Sequence, residues 1–307
     1  MVTIIRKELA DYFTSIRCII LFLLVFLAST AALYAAQQGI RGTVTGTGFV
    51  FLKLFTTSGE AVPSLVSFLA LFIPIIGIVL GFDAINREYS SGTLSRILAQ
   101  PVFRDSVINA KFLAGIITLS IMMLTTILLV SGYGLRMIGV TPTPEEITRL
   151  FIYLVFTVIY GAFWMGLAML FSVLFRRIAT SLLTPIAIWL FFSIFILMIA
   201  PAIANSVAPP ENATQAVLIR NVEIQQMIMR VSPNTLFSEA TAVLLMPQVR
   251  SLGIVTQSQA AYMLPNPLSL GQSVLLVWPQ LISLMGLCAI CFAISYVVFM
   301  RQEIRAT

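Results

Sequence analysis

The chain has 307 residues, 59% hydrophobic and only 10% charged, with a formal net charge of +6 from eighteen Lys+Arg against twelve Asp+Glu. Soluble domains are about 45–50% apolar and about 25% charged, so this composition excludes a soluble globular protein. The sequence has no histidine, which removes the commonest proton shuttle and metal ligand. The basic excess reads as loop charge on a membrane protein, and no nucleic-acid partner is expected.

An apolar run of about 20 residues spans the hydrocarbon core as a helix. Six runs qualify: Ile16–Ala36, Val62–Phe82, Phe112–Val130 with an extension toward Ile138, Leu150–Phe175, Leu182–Ala202 and Val274–Met300. They do not alternate apolar with polar residues as barrel strands do. The expected fold is an all-α integral membrane protein with six transmembrane helices. With the N-terminus inside, eleven of the eighteen cations fall on the inner segments, among them Arg6, Lys7, Arg17, Arg87, Arg96, Arg176, Arg177 and Arg301. Cytoplasmic loops carry such an excess, so both termini are expected in the cytoplasm.

In chain order, residues 1–17 read as an amphipathic helix. Val2, Ile5, Leu9, Tyr12 or Phe13, and Ile16 recur at helical spacing, with Arg6, Lys7, Asp11, Thr14 and Arg17 on the other side. Such a helix lies in the headgroup plane, beside membrane lipid; the plainer alternative is a cytoplasmic tail. The first span follows it and reads as retained rather than as a cleaved signal. The first outside loop, 37–61, is rich in Gly and Thr with little periodicity. Span two carries Pro74 and the G-x-x-x-G pair Gly77 and Gly81, which permits close helix packing, either as a dimer seam or as an internal contact.

Residues 81–111 form a patterned polar segment between two apolar runs. Residues 83–89 prolong span two, and Ser90-Ser91-Gly92 breaks it. Thr93 can cap a short helix with Leu94, Ile97 and Leu98 on one face, and Pro101 ends that helix. Arg87, Glu88, Arg96 and Arg104 rim the apolar face. A partner groove accepts such a face; a helix resting on lipid is the alternative.

The second outside loop, 139–149, is short. On span four, Ala162 and Gly166 make a weaker small-residue pair, read as an internal contact. Arg176-Arg177 is nearly the whole link to span five, so spans four and five are expected to form a tight hairpin. Pro185 falls within span five and permits a kink. Residues 205–273 are too long for a structureless connection. Val217, Leu218, Val222 and Ile228 suggest one helix there, and Leu236, Phe237, Ala240, Val243 and Leu244 another. The reading is an extracytoplasmic helical cap, 204–273, followed by the sixth span and tail, 274–307. Asn212-Ala213-Thr214 is a glycosylation sequon within it. Cys288 and Cys291 form a C-x-x-C inside an apolar helix, read as two small packing residues rather than a redox or metal site.

No Asp, Glu, Lys or Arg lies near the middle of any span, where ion-coupled transporters and voltage sensors need them. There is no G-x-x-x-x-G-K-[ST] phosphate loop, and no Ser-His, Cys-His or metal-ligand cluster. The chain is expected to be non-catalytic and to hold no cofactor or metal. Any active work must be powered by a second polypeptide.

Glu88-Tyr89-Ser90-Ser91-Gly92-Thr93-Leu94, then Leu98, Pro101, Arg104 and Lys111, resembles the first cytoplasmic loop of the type-two ATP-binding-cassette (ABC) permeases. Arg6-Lys7-Glu8-Leu9 followed by Arg17 is similar to that family's elbow helix. Ser232-Pro233-Asn234-Thr235-Leu236-Phe237 is similar to an element of its nitrous-oxide-reductase-maturation-like branch. The large cap departs from the smaller drug and polysaccharide exporters. The resemblance implies a cell-membrane permease, prokaryotic, working as a homo- or heterodimer of permease chains above two nucleotide-binding ATPase subunits that bind ATP and Mg. The helix after Gly92 would be the coupling helix, with Glu88, Ser91, Gly92, Thr93, Leu94, Ile97, Leu98, Pro101 and Arg104 facing the ATPase partner. Residues 1–17, through Arg6, Lys7 and Glu8, would form the elbow beside it. Two rivals stay open. One is a platform that docks an extracytoplasmic partner or maturation factor at the cap under ATPase control without moving solute. The other is a channel without an engine.

Overall fold

The computed structural model describes residues 1–41, 49–59, 62–90, 92, 103–139, 141–209, 214–249 and 267–302. Among the described residues, six helices are long and apolar enough to cross a membrane: Ile16–Gly39, Leu65–Ser90, Arg104–Arg136, Pro144–Leu174, Ile178–Val207 and Leu270–Arg301. Among the described residues there is no strand. The protein is an all-helical, multi-pass membrane protein. Several helices outrun their apolar stretches: the third begins at Arg104, eight residues before the apolar run at Phe112. Hydropathy marks the part inside hydrocarbon, whereas backbone hydrogen bonding carries a helix on into water.

The chain divides into two compact units, Met1–Ile186 with Ser283–Thr307, and Ala187–Ile282. In the first unit, α1 (Val2–Thr14) ends at Ser15, whose extended backbone (φ −73°, ψ 128°) turns the chain into α2 (Ile16–Arg41). Val2 and Phe13 on α1 and Ile16 at the start of α2 are exposed, and Glu8 is buried. A short helix, α3 (Lys53–Thr56), lies in the stretch that shows no periodicity in sequence. The apolar residues Phe51, Leu52, Leu54 and Phe55 pin it inward.

Helix α4 (Leu65–Gly81) starts at Ser64, whose side chain accepts a hydrogen bond from the Ser67 amide. It leads through a turn at 82–85 into α5 (Asn86–Ser90). After the loop comes α6 (Arg104–Ile138), closed by Gly139 in the left-handed conformation (φ 72°). Helix α7 (Pro144–Leu174) opens with a capping box: Thr143 Oγ1 accepts from the Glu146 amide, and the Glu146 carboxylate accepts from the Thr143 amide at 2.8 Å. The same carboxylate accepts from the Phe51 amide at 3.0 Å and so ties α3 to α7.

The first core forms where α4 meets α7. A Cβ at Gly77 would stand 2.5 Å from the Gly161 carbonyl, and one at Gly81 would run into the Met165 carbonyl. The G-x-x-x-G pair is therefore an internal contact of this chain, and it needs glycine because backbone meets backbone. Gly166 likewise packs inward, against Phe112 and Cys291. A second cluster gathers Ala84, Ile85, Ile108, Met169, Val173 and Phe299, extended by Phe112 stacked on Phe292 at 4.2 Å. Three residues, 175–177, connect α7 to α8 (Ile178–Leu190), the tight connection expected around Arg176-Arg177.

In the second unit, the fifth span continues through a π-helical turn (Phe191–Phe195) into α9 (Ile196–Val207). Helix α10 (Gln215–Met229) returns along α9, held by Asn221 Nδ2 donating to Asn205 Oδ1 (2.9 Å) and to the Ala208 carbonyl (2.7 Å). Helix α11 (Pro233–Leu245) then buries Leu236, Phe237, Ala240, Val243 and Leu244. Both helices stand where the apolar spacing places them. Ser232 Oγ donates to the Phe192 carbonyl at 3.1 Å and Asn234 Nδ2 to Ser193 Oγ at 2.8 Å, which seats the start of α11 on the π-helical turn. Glu239 on α11 pairs with Arg230 at 3.0 Å and accepts from Gln280 Nε2 at 3.0 Å. Gln280 lies on α12 (Leu270–Arg301).

Candidate functional site

The segment from Asp83 to Lys111 is fastened to its surroundings by polar contacts at both ends. At its near end, the amides of Ile85 and Asn86 both donate to Ser172 Oγ at 3.1 Å, and Ser181 Oγ donates to the Phe82 carbonyl at 2.7 Å. These bonds satisfy main-chain groups freed where α4 gives way to the turn. Arg17 Nη1 meets Asp83 Oδ2 at 2.6 Å, and its guanidinium lies 5.3 Å from the Phe82 ring centre. The Tyr12 hydroxyl donates to the Leu80 carbonyl at 2.9 Å. Burial pushes the Tyr12 pKa far up, and nearby Glu8 and Asp83 add to the effect, so the phenol stays protonated and keeps donating.

The centre of the site is an ionic cluster. Lys111 Nζ, on α6, lies 2.7 Å from Glu88 Oε1 on α5 and 3.0 Å from Glu8 Oε1 on α1. All three residues are buried. Lys7 lies 3.2 Å from Glu8, 3.8 Å from Glu88 and 3.5 Å from Asp11, with more than half of its side chain exposed. The buried carboxylates of Glu8 and Glu88 are thus matched by the two ammonium groups, and Asp11 adds a third, exposed carboxylate beside Lys7. A charge survives burial only when paired in this way. Burial alone would lower the Lys7 pKa. The carboxylates of Glu8, Glu88 and Asp11 outweigh it and leave that pKa raised.

The far end is closed differently. Arg104 Nη1 donates to the Gln302 carbonyl at 3.1 Å, and Gln302 Nε2 donates to the Val173 carbonyl at 2.7 Å. Arg176 stands 5.6 Å from the Tyr89 ring centre.

Of the residues read from the sequence, Glu88, Lys7 and Glu8 come together in this cluster. Arg6 lies exposed on α1. Arg104 sits at the first turn of α6. Gly92 has φ +66°, and a Cβ added there would meet nothing within 4 Å. Ser91, Thr93, Leu94, Ile97, Leu98 and Pro101 lie outside the described residues. So do Asn212 and Ala213 of the glycosylation sequon. Sequence reasoning missed Tyr12, Asp83, Ser172 and Ser181 as members of the site, and read Arg17 only as part of the elbow-like opening. Their partners are tens of residues away, and no local spacing announces them. Lys111 is legible as the last anchor of the family-like segment, but not as a partner of Glu8 and Glu88. Among the described residues no group of three or more His, Cys, Asp or Glu could hold a metal ion.

A family model described as ABC-2 family transporter protein matches residues 2–304. A curated relative, the "Probable ABC transporter permease protein NosY" of Pseudomonas aeruginosa, is 28% identical over 187 residues. That alignment covers 59% of this chain and 58% of the relative, so the chain spans under two thirds of the relative's length.

Proposed function

We propose a function from one premise: this chain belongs to the ABC-2 family of transporter proteins. It is the permease subunit of an ABC transporter, and it moves a substrate across the cell membrane with ATP hydrolysed by a separate nucleotide-binding subunit. The segment 83–111 faces that subunit in the cytoplasm, and the helix after Gly92 docks in its groove. The observation that carries this reading is Gly92. Its left-handed backbone in open space (φ +66°) marks a turn where any other side chain is strained. The turn stands directly after α5 and before the apolar pattern Leu94, Ile97, Leu98. Two permease chains make up the membrane part.

The test is purification in mild detergent with the ATPase subunit co-expressed. The wild-type chain should bring that subunit along. A buried leucine contributes roughly 1.5–3 kcal/mol, and about 1.4 kcal/mol is a factor of ten. Leu94→Ala with Leu98→Ala should therefore weaken the association about ten- to thousand-fold. Gly92→Val should leave binding intact but uncouple hydrolysis from transport. Met227→Ala, on an exposed position of the second unit, is the control. Full partner affinity in the double-leucine variant would mean the helix rests on lipid.

A further inference from the structure

We propose that Lys111, with Glu8 and Glu88, is a clamp that makes the two ends of the coupling segment and the N-terminal helix move as one body. The inference rests on the reading of 83–111 as the coupling segment. Glu88 stands at the segment's near end and Lys111 at its far end, and their side chains meet at 2.7 Å. The same ammonium reaches Glu8 at 3.0 Å, on a helix about a hundred positions earlier in the chain. One cation thus ties three elements: α5, α6 and α1. All three residues are buried, the Lys111 side chain being 5% exposed, so water screens these pairs less than it would at the surface. Helix α5 is a single turn and cannot hold its own position. Its amide bonds to Ser172 fix where it starts, and Glu88 fixes where it points.

The mechanical consequence follows from the pairing. A push on the segment between Glu88 and Lys111 cannot open that segment like a hinge without parting a buried ion pair. Parting it leaves charge unpaired in a buried site, which is strongly unfavourable. The push is delivered instead to the second span, the third span and α1 together. Glu8, Glu88 and Lys111 are positioning residues for energy transfer, and they touch neither nucleotide nor substrate.

The experiment measures the distance across the segment. Nitroxide labels go on cysteines replacing Arg87 and Phe103, both exposed and one at each end, in a background with Cys18→Ala, Cys288→Ala and Cys291→Ala. The clamped protein should show one narrow distance distribution, unchanged when the ATPase subunit and a non-hydrolysable ATP analogue are added. A single Lys111→Met change leaves two buried carboxylates and can unfold the chain. The informative variant is therefore Glu8→Gln, Glu88→Gln and Lys111→Met together, which keeps the shapes and removes every buried charge of the triad. That variant should keep the thermal stability and lose the narrow distribution. It should also hydrolyse ATP with its partner bound while losing transport. Lys111→Arg should preserve the narrow distribution. A triple variant as narrow as the wild type overturns the clamp, and so does a wild-type distance that shifts with nucleotide. The label measurement on the chain alone stands even if no ATPase subunit associates. In that case the assignment of 83–111 as a coupling segment fails and the clamp is judged by itself.

Discussion

Lys111 and Lys7 reach the same carboxylates from opposite environments, 5% against 56% exposed at the side chain. Removing one member of a buried ion pair costs about 3–5 kcal/mol, because a partner charge is left stranded. Exposed pairs contribute about 0–1 kcal/mol. Lys111→Ala should therefore lower stability by several-fold more than Lys7→Ala, read as the denaturation midpoint in detergent. Equal effects would mean that water reaches the triad. Lys7 adds a pH dependence with a definite sign. Its pKa is raised above the ordinary 10.5 when folded. Its contribution is then fully present below that ordinary value and fades as pH climbs through the folded one. Wild type and Lys7→Gln should differ in stability at neutral pH and converge only in strongly alkaline buffer. Convergence at mildly acidic pH would contradict the assignment.

Among the elements, the fifth span breaks its regularity with the π-helical turn at Phe191–Phe195. A π-helical turn leaves part of the main-chain ladder without its usual partners. Here Ser232 bonds the Phe192 carbonyl, and Asn234 bonds Ser193 beside it. Each hydrogen bond contributes roughly 0.5–1.5 kcal/mol. Ser232→Ala with Asn234→Ala should raise amide exchange at 191–195 by about five- to a hundred-fold, with α10 unaffected. Unchanged exchange there would show that packing alone seats α11. Helices α10 and α11 were legible because apolar residues at 217, 218, 222, 228 and at 236, 237, 240, 243, 244 repeat at helical spacing. Helix α3 was not. Its four residues carry less than two turns of pattern, and its anchor, the Phe51 amide on Glu146, joins positions far apart in sequence. The start of α7 was half legible. Thr143-Pro144-Glu145-Glu146 has the spacing of a capping box but reads as loop when weighed by hydropathy alone. The partnership of Glu8 with Lys111 could not be read at all, since charge by itself does not say which of many carboxylates a cation finds.

For the whole molecule, orientation is the first quantity to measure. The cation excess predicts Ser90 inside and Thr214 outside. Both are exposed. A cysteine at Thr214 should react with an impermeant thiol reagent in intact cells, and one at Ser90 only after the membrane is opened. The reverse pattern would invert the topology. The spans are also unequally covered. Within the most apolar stretch, 72% of the fourth span is buried, against 11% of the fifth and 17% of the sixth. The fourth span is thus an axle of its unit, and the fifth and sixth are mostly exposed. The approach of Gly77 and Gly81 to the backbone of α7 has its own consequence for permeation. Main chains that close leave no width for a file of water or a lipid tail, so the seam between the second and fourth spans insulates. Under the proposed permease function, any conduit for cargo runs along some other boundary, and a cell carrying Gly81→Leu, with that seam wedged apart, should leak small ions that the wild-type chain holds back.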